Sequence, residues 1–421
     1  MLDRTVAPKH STSYTINFPK AAEHKLDNNI PVYTLAAGSQ PIIKLEVLFP
    51  LGGSYYENKT AASFITLKML QEGTKSYTSN EMSNLFAQYG AFVELHPSFD
   101  VPSVTLYCLT KYLNIVLPFF QEMILAPAFP ENDLKRVQSI EAQQLKLQNE
   151  KSNIVASKKF RQLIFGSDNP YGKIINDSDI DQLTTKDLTK FHSANLSQFE
   201  LLISGHVDSD TLKILNDHFG KEVMNTSTIE SCEYSLNDEE TFIKEDKKTA
   251  LQSSIRMGKP VIDKGHLDYI KLLVANQALG GYFGSRLMKN IREDKGFTYG
   301  IHSSIVSLKH NCYFVIGTDV KKEFVDDVIG EINKEIALLC ADPMSANELA
   351  AVKNHMFGHF QSQLNSAFSL AEKFKNIHIH GLDYTYYDDY MSILSNITST
   401  EIQSIFNKYL QPEGMRKVVI G

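Results

Sequence analysis

The chain has 421 residues, 43% of them hydrophobic and 22% charged, which is room for two or three domains with full cores and excludes a disordered composition. Acids outnumber bases by 49 to 42, for a net charge of −7, and no basic stripe offsets them, which argues against a nucleic-acid surface. Cys108, Cys232, Cys312 and Cys340 are far apart and form no Cys-x-x-Cys pair, which excludes a disulfide framework and a cysteine-zinc knuckle and fits a reducing compartment.

The N-terminal stretch MLDRTVAPKHSTSYTINFPK has no apolar core of the signal-sequence kind. The longest apolar run, Ile115–Phe129, is broken by Pro118, Gln121, Glu122 and Pro127, so no membrane span is expected. A cytoplasmic location is the expectation, or a periplasmic one if the chain is a processed form. Ile42–Pro50 alternates and is rich in β-branched and aromatic residues, which predicts a strand turned by Gly52-Gly53-Ser54. Helices are predicted over Ala61–Gln71 and over Asn80–Tyr89, the second with Ser79 as N-cap and Gly90 as its stop. Ala91–Leu95 and Pro102–Cys108 read as paired strands, Lys111–Leu125, Glu131–Lys151 and Lys186–Phe191 as helices, and Glu200–Gly205 as a closing strand.

Asn225–Thr249 is polar, acidic and poor in aliphatics, the composition of a linker. Beyond it the plan repeats. Leu251–Met257 is a predicted strand and His266–Ala278 a helix followed by Gly280-Gly281. Phe283–Glu293 is a predicted helix and Phe297–Ile301 a strand. Phe314–Thr318 is a strand, and Glu323–Leu339 and Ala346–His359 are helices. The two ends match, LTTKDLTKFHSANLSQFELLISG at 183–205 against ITSTEIQSIFNKYLQPEGMRKVVIG at 397–421, with a two-residue insertion before the last strand. An internal duplication is therefore expected, with an N-terminal domain at 1–224, a linker at 225–249 and a C-terminal domain at 250–421. The fold class is α+β, each half a mostly antiparallel sheet packed by helices.

Within GSRLMKNIREDKGFTYGIHSS, at 284–304, Leu287 and Ile291 share a helix face, and Asp294-Lys295-Gly296 breaks the helix. A chain folding back there brings Arg292 and Tyr299 toward one point. A planar charged fork beside a neutral phenol suits a polarised carbonyl. From residue types alone, a surface Arg beside a half-buried Tyr is the plainer reading.

The segment resembles the C-terminal signature of the insulinase/pitrilysin family of zinc peptidases, in the branch similar to mitochondrial processing peptidase. The matching residues are Ser285-Arg286-Leu287, Ile291-Arg292 and Gly296-Phe297-Thr298-Tyr299. Gly53-Ser54-Tyr55-Tyr56-Glu57, Met69-Leu70-Gln71-Glu72-Gly73-Thr74, Asn169-Pro170-Tyr171-Gly172 and Leu201–Asp208 also resemble family motifs, in family order. The resemblance implies the processing-peptidase-like metallohydrolase fold. It also implies that Arg292 and Tyr299 bind the substrate backbone near zinc and help stabilise the tetrahedral intermediate.

The family's active chains carry His-x-x-Glu-His on a helix, two imidazoles for zinc and a Glu for its water. Neither that motif nor His-Glu-x-x-His occurs in this chain. Aligned on Met69-Leu70 and Gly73-Thr74, the ligand and base positions are Phe64, Leu67 and Lys68, and the later Glu ligand falls near Gln143-Gln144, taken as Gln144. In the family a strand edge beside the zinc helix receives the substrate as an added strand, and here Glu94 stands where an Asn is usual. His355 and His359, four apart on a predicted helix, have no acid between them and no evident third ligand, so they read as a solvated pair before a metal site. His378 and His380 in NIHIHG read as strand or loop surface.

The resemblance thus implies the non-catalytic subunit of a heterodimeric zinc metalloendopeptidase, inactive alone. It binds no cofactor itself. Zinc is expected in an active partner bearing His-x-x-Glu-His, and the substrate is an unfolded peptide. The alternative is a catalytically inert peptide-binding or scaffold protein, as a homodimer for instance. A third reading is a peptidase with a metal site at His355/His359.

Overall fold

A computed structural model describes residue 5 and residues 19–38, 40–221, 234–237 and 240–421. The first sheet is built from β1 (Ala22–Lys25), β2 (Pro31–Ala36), β3 (Ile42–Leu48), β4 (Phe92–His96), β5 (Ser103–Leu109) and β6 (Glu200–Gly205), in the order β1-β2-β6-β3-β5-β4. The second is built from β7 (Phe242–Glu245), β8 (Gln252–Pro260), β9 (Thr298–Ser307), β10 (Cys312–Lys321) and β11 (Arg416–Ile420), in the order β7-β11-β8-β10-β9. Without β1, the first order becomes the second when each strand number rises by five. The senses agree too. β2 is parallel to β6 and β7 to β11, and the other pairs are antiparallel. This is the duplicated α+β plan.

Alternation explains the first core. Ile43, Leu45 and Val47 of β3 point one way and are fully buried with Val104, Leu106, Leu201 and Ile203. The helix Ala62–Met69 packs on that core through Ile65 and Leu67. Its N-terminus is held by Glu57, whose carboxylate accepts from Ala61 N at 3.0 Å and Ser63 N at 2.9 Å. Burial nevertheless pushes the Glu57 carboxyl up to about 7.

Each half lends a helix to the other's sheet. Ser152–Phe165 follows the long helix Glu131–Asn149 and packs on β8 and β11, where Phe160 and Ile164 meet Tyr313, Val418 and Ile420. Arg416 Nη1 donates to the carbonyls of Leu163 and Ile164 at 2.8 and 2.9 Å. Ala367–His378 of the second half packs on β2 and β6, where Leu370, Ala371 and Phe374 meet Leu35, Leu48 and Leu202. The polar side chains of β3 are buried under this helix. Lys44 pairs with Glu46 at 2.9 Å and Glu372 at 2.6 Å, and Lys375 with Glu46 at 2.7 Å and Glu372 at 2.9 Å.

Several local expectations change. The stretch 225–249 is not wholly a linker, because Phe242–Glu245 is a strand paired with β11; residues 225–233, Cys232 among them, lie outside the described residues. NIHIHG divides, with Asn376–His378 ending a helix where a strand or loop surface was expected, and His380 in the turn that follows it. The N-cap of Ser79–Gln88 is Thr78, which forms a capping box with Glu81. β9 and β10 run several residues beyond their predicted ends, as two long strands that pair with each other. Among the described residues no helix is long and apolar enough to cross a membrane.

Candidate functional site

Leu287 and Ile291 are fully buried and fix the segment that carries Arg292. Its helix is irregular. A short turn passes at Met288 into a wider π-type turn ending at Asp294. Arg286 anchors the start through a two-point contact with Glu348, Nε to Oε1 at 2.8 Å and Nη2 to Oε2 at 3.0 Å. Gly296 adopts φ +67°, a left-handed conformation that a side chain would strain, and reverses the chain. Phe297 N then donates to Ile291 O at 3.0 Å, and Thr298 Oγ1 donates to Asp319 O at 2.8 Å, which seats the first residues of β9.

The reversal brings the expected pair together. The Arg292 guanidinium lies 5.4 Å from the centre of the Tyr299 ring and 4.6 Å from that of Phe283. Tyr299 is 91% exposed and Phe283 62%. A tyrosine so exposed beside a cation is not the half-buried side chain of the plainer reading. No carboxylate pairs with Arg292 among the described residues. Beside the pair opens a cavity of about 540 Å³, lined by Phe283, Tyr299, Asn153, Arg256, His302 and Asp319 among others. Arg256 is tied to the lent helix, with Nε donating to Ser157 Oγ at 3.0 Å and Nη2 to Asn153 O at 3.1 Å. Burial and the neighbouring Arg256 hold His302 below the usual imidazole value. The sequence reading missed Phe283. Its signal was the aromatic pair Tyr282-Phe283 that follows Gly280-Gly281.

The aligned metal positions present different chemistry. Phe64 is half-buried, Leu67 is buried in the core, and neither has a lone pair to give. Lys68 Nζ lies 3.1 Å from Glu141 Oε1 and 5.4 Å from the centre of the Phe64 ring. Gln144 lines a cavity of about 250 Å³ with Phe64 and Glu141. An ammonium already paired with the nearby carboxylate stands where a divalent cation would need its ligands, so zinc does not fit these residues. Among the described residues no three His, Cys, Asp or Glu side chains are grouped to hold a metal ion. The sequence alignment pointed to Gln144, whereas the carboxylate that reaches this helix is Glu141, one turn earlier on the same face.

His355 and His359 stack with ring centres 6.3 Å apart. His355 Nδ1 meets Gln277 Nε2 at 3.0 Å, and His359 Nε2 meets Gln363 Nε2 at 2.8 Å. His378 Nε2 pairs with Glu200 Oε2 at 2.5 Å. β4 is an outer strand with Glu94 exposed, but one of its carbonyls is occupied. Gln71 Nε2 donates to Val93 O at 3.2 Å.

Two family descriptions match the chain in sequence. Residues 42–167 match "Insulinase (Peptidase family M16)" and residues 182–356 match "Peptidase M16 inactive domain". The chain belongs to the M16, or insulinase, peptidase family. Among its M16 relatives are an "uncharacterized zinc protease YmxG" of Bacillus subtilis, 22% identical over 72% of this chain and 74% of that one, and a "probable inactive metalloprotease YmfF" of the same organism, 24% identical over 70% of each. A "non-peptidase homolog YmxG" of Helicobacter pylori is 24% identical over 62% of each chain. The M16 fold is shared with a peptidase M16 inactive domain from Pseudomonas fluorescens (TM-score 0.87, 21% identity, 96% of this chain and 98% of that one). A protease structure from Helicobacter pylori is similar to the same degree (TM-score 0.87, 18% identity, 96% and 100%). The chain is thus an M16 peptidase-like protein, some of whose relatives bear the names inactive and non-peptidase.

Proposed function

We propose that the chain is the non-catalytic subunit of a two-chain zinc peptidase and supplies Arg292 and Tyr299 to its partner's active site. The observation that carries this reading is the contrast between its two sites. Side chains that cannot ligate zinc occupy the metal positions, while the Arg292–Tyr299 pair is held by buried anchors, with Tyr299 exposed and Arg292 half-buried beside it. Exposure matters because a pair that serves another chain has to reach out of its own. Arg292 offers a planar fork and Tyr299 a neutral donor, both suited to an oxyanion that forms on a peptide carbonyl. The partner brings zinc and the general base, and the substrate is an unfolded peptide.

The test pairs this chain with an M16 chain that carries His-x-x-Glu-His and follows cleavage of a quenched unfolded peptide. Activity is expected only in the mixture. Arg292→Ala and Tyr299→Phe are each expected to lower kcat roughly 100-fold, as removal of an oxyanion donor does. Unchanged turnover in both variants would sink the reading. An inert peptide-binding or scaffold role is the second reading, favoured by relatives named inactive or non-peptidase. Peptide binding without cleavage in any mixture would select it.

A further inference from the structure

The cavity of about 250 Å³ beside the helix Ala62–Met69 joins an apolar wall to a cationic one. Phe64, Phe99, Leu145, Ile174, Ile175 and Ile180 form the apolar wall. Lys158, Arg161 and Lys173 form the cationic one, with Gln144 and Gln148 nearby. The one acid on the lining, Glu141, is engaged by Lys68 at 3.1 Å. Among the described residues no carboxylate lies within 4 Å of Lys158, Arg161 or Lys173. Lys158 Nζ donates to Asn149 Oδ1 at 2.9 Å, outside the lining residues. Arg161 Nη1 reaches Ser157 O at 3.5 Å, its guanidinium lies 5.3 Å from the centre of the Phe99 ring, and its Nε is buried with no hydrogen-bond partner. Burial lowers the Arg161 guanidinium, and burial together with Arg161 lowers the Lys158 ammonium. Lys173 is exposed at the rim, but Lys158 and Arg161 are half-buried beside an apolar wall with no carboxylate in contact, and an anion entering beside them relieves the cost of that poor solvation.

We propose that this cavity binds a carboxylate carried on an apolar stem, namely the C-terminal end of a peptide whose last side chain is aliphatic. A guanidinium fork matches a carboxylate in two-point geometry, and an ammonium on the same wall adds charge without setting direction. The apolar wall takes the side chain. The volume suits one residue, not an extended segment. The proposal does not depend on the role given to Arg292 and Tyr299, and those residues are absent from the lining.

The test is calorimetric titration of the whole chain with four probes. These are N-acetyl-leucine, N-acetyl-leucinamide, and a short peptide ending in Leu as the free acid and as the amide. The free acids are expected to bind at least roughly tenfold more tightly than the amides, the difference a charge-assisted pair makes. Arg161→Gln and Lys158→Gln are each expected to remove about that factor, with circular dichroism unchanged. If Arg161→Gln does not fold, Lys158→Gln and the acid-against-amide comparison decide. Equal binding of acid and amide, no binding of any probe, or full binding by folded variants would overturn the proposal. Binding of N-acetyl-leucine without the peptide acid would overturn the peptide assignment and leave a site for free carboxylates.

Discussion

Tyr171 joins the two halves through one hydroxyl. It is fully buried, donates to Asp100 Oδ1 and accepts from His310 N at 3.3 Å, while Lys309 N donates to Asp100 Oδ2 at 3.0 Å. Lys309 and His310 form the tip between β9 and β10, so a second-half hairpin is pinned to first-half loops. Tyr171→Phe leaves a buried acid short of a donor and is expected to cost about 1–3 kcal/mol, read as a lower urea midpoint at unchanged slope. Its neighbour Gly172 has no room for a Cβ, which would lie 2.0 Å from Gly166 O. The Asn-Pro-Tyr-Gly motif is thus structural, a role that family likeness alone did not reveal. His380 gives a pH test. Burial, with Lys264 adding to it, pushes this imidazole down to about 4. The unfolded chain takes up the proton near 6.5 and the folded chain resists it until about 4, so stability falls as pH drops through that window. His380→Gln is expected to flatten the fall of Tm between those limits. Arg292 and Tyr299 were legible because seven residues and one turn join them. Glu141 was not, because its partner Lys68 lies on a different helix, far away in sequence.

At the scale of elements, the contact between Ala367–His378 and the first sheet is the most exacting. Desolvation alone would pull the Lys44 ammonium down, but Glu46 and Glu372 outweigh it and raise it, so the charge is kept. Lys44→Met leaves Glu46, itself 1% exposed, with one cation fewer and is expected to cost about 3–5 kcal/mol in chemical denaturation. Lys44→Met combined with Glu46→Leu is expected to recover much of that loss, because an apolar pair leaves no unmatched charge. A double substitution as unstable as the single one would contradict this account. The sequence concealed this helix for a physical reason. The alternation of His378 and His380 imitates a strand, while the true signal is the stripe of Leu370, Phe374 and Ile377 at helical spacing. β7 was hidden otherwise. Three of its four side chains are exposed, and only the parallel pairing with β11 makes it a strand. The elements that were legible are those with a strong local pattern, β3 and β6 as short strands buried on both faces and Glu131–Asn149 as a helix with Leu134, Val137 and Leu145 buried on one side.

At the scale of the molecule, the lent helices mean that neither half completes its own structure. A protease cut near residue 240 is expected to leave the pieces together on size exclusion, with separation only in denaturant. Release of a folded fragment under native conditions would refute this. The same exchange imposes an order on synthesis. The first sheet has all its strands once Gly205 has been made, yet the helix that shields Leu35, Leu48 and Leu202 leaves the ribosome roughly 160 residues later. At ordinary translation rates that is on the order of 8–30 seconds with an apolar face uncovered. A nascent chain stalled once Gly205 has emerged from the ribosome should therefore be sticky and rich in chaperone contacts, and one stalled once His378 has emerged should not.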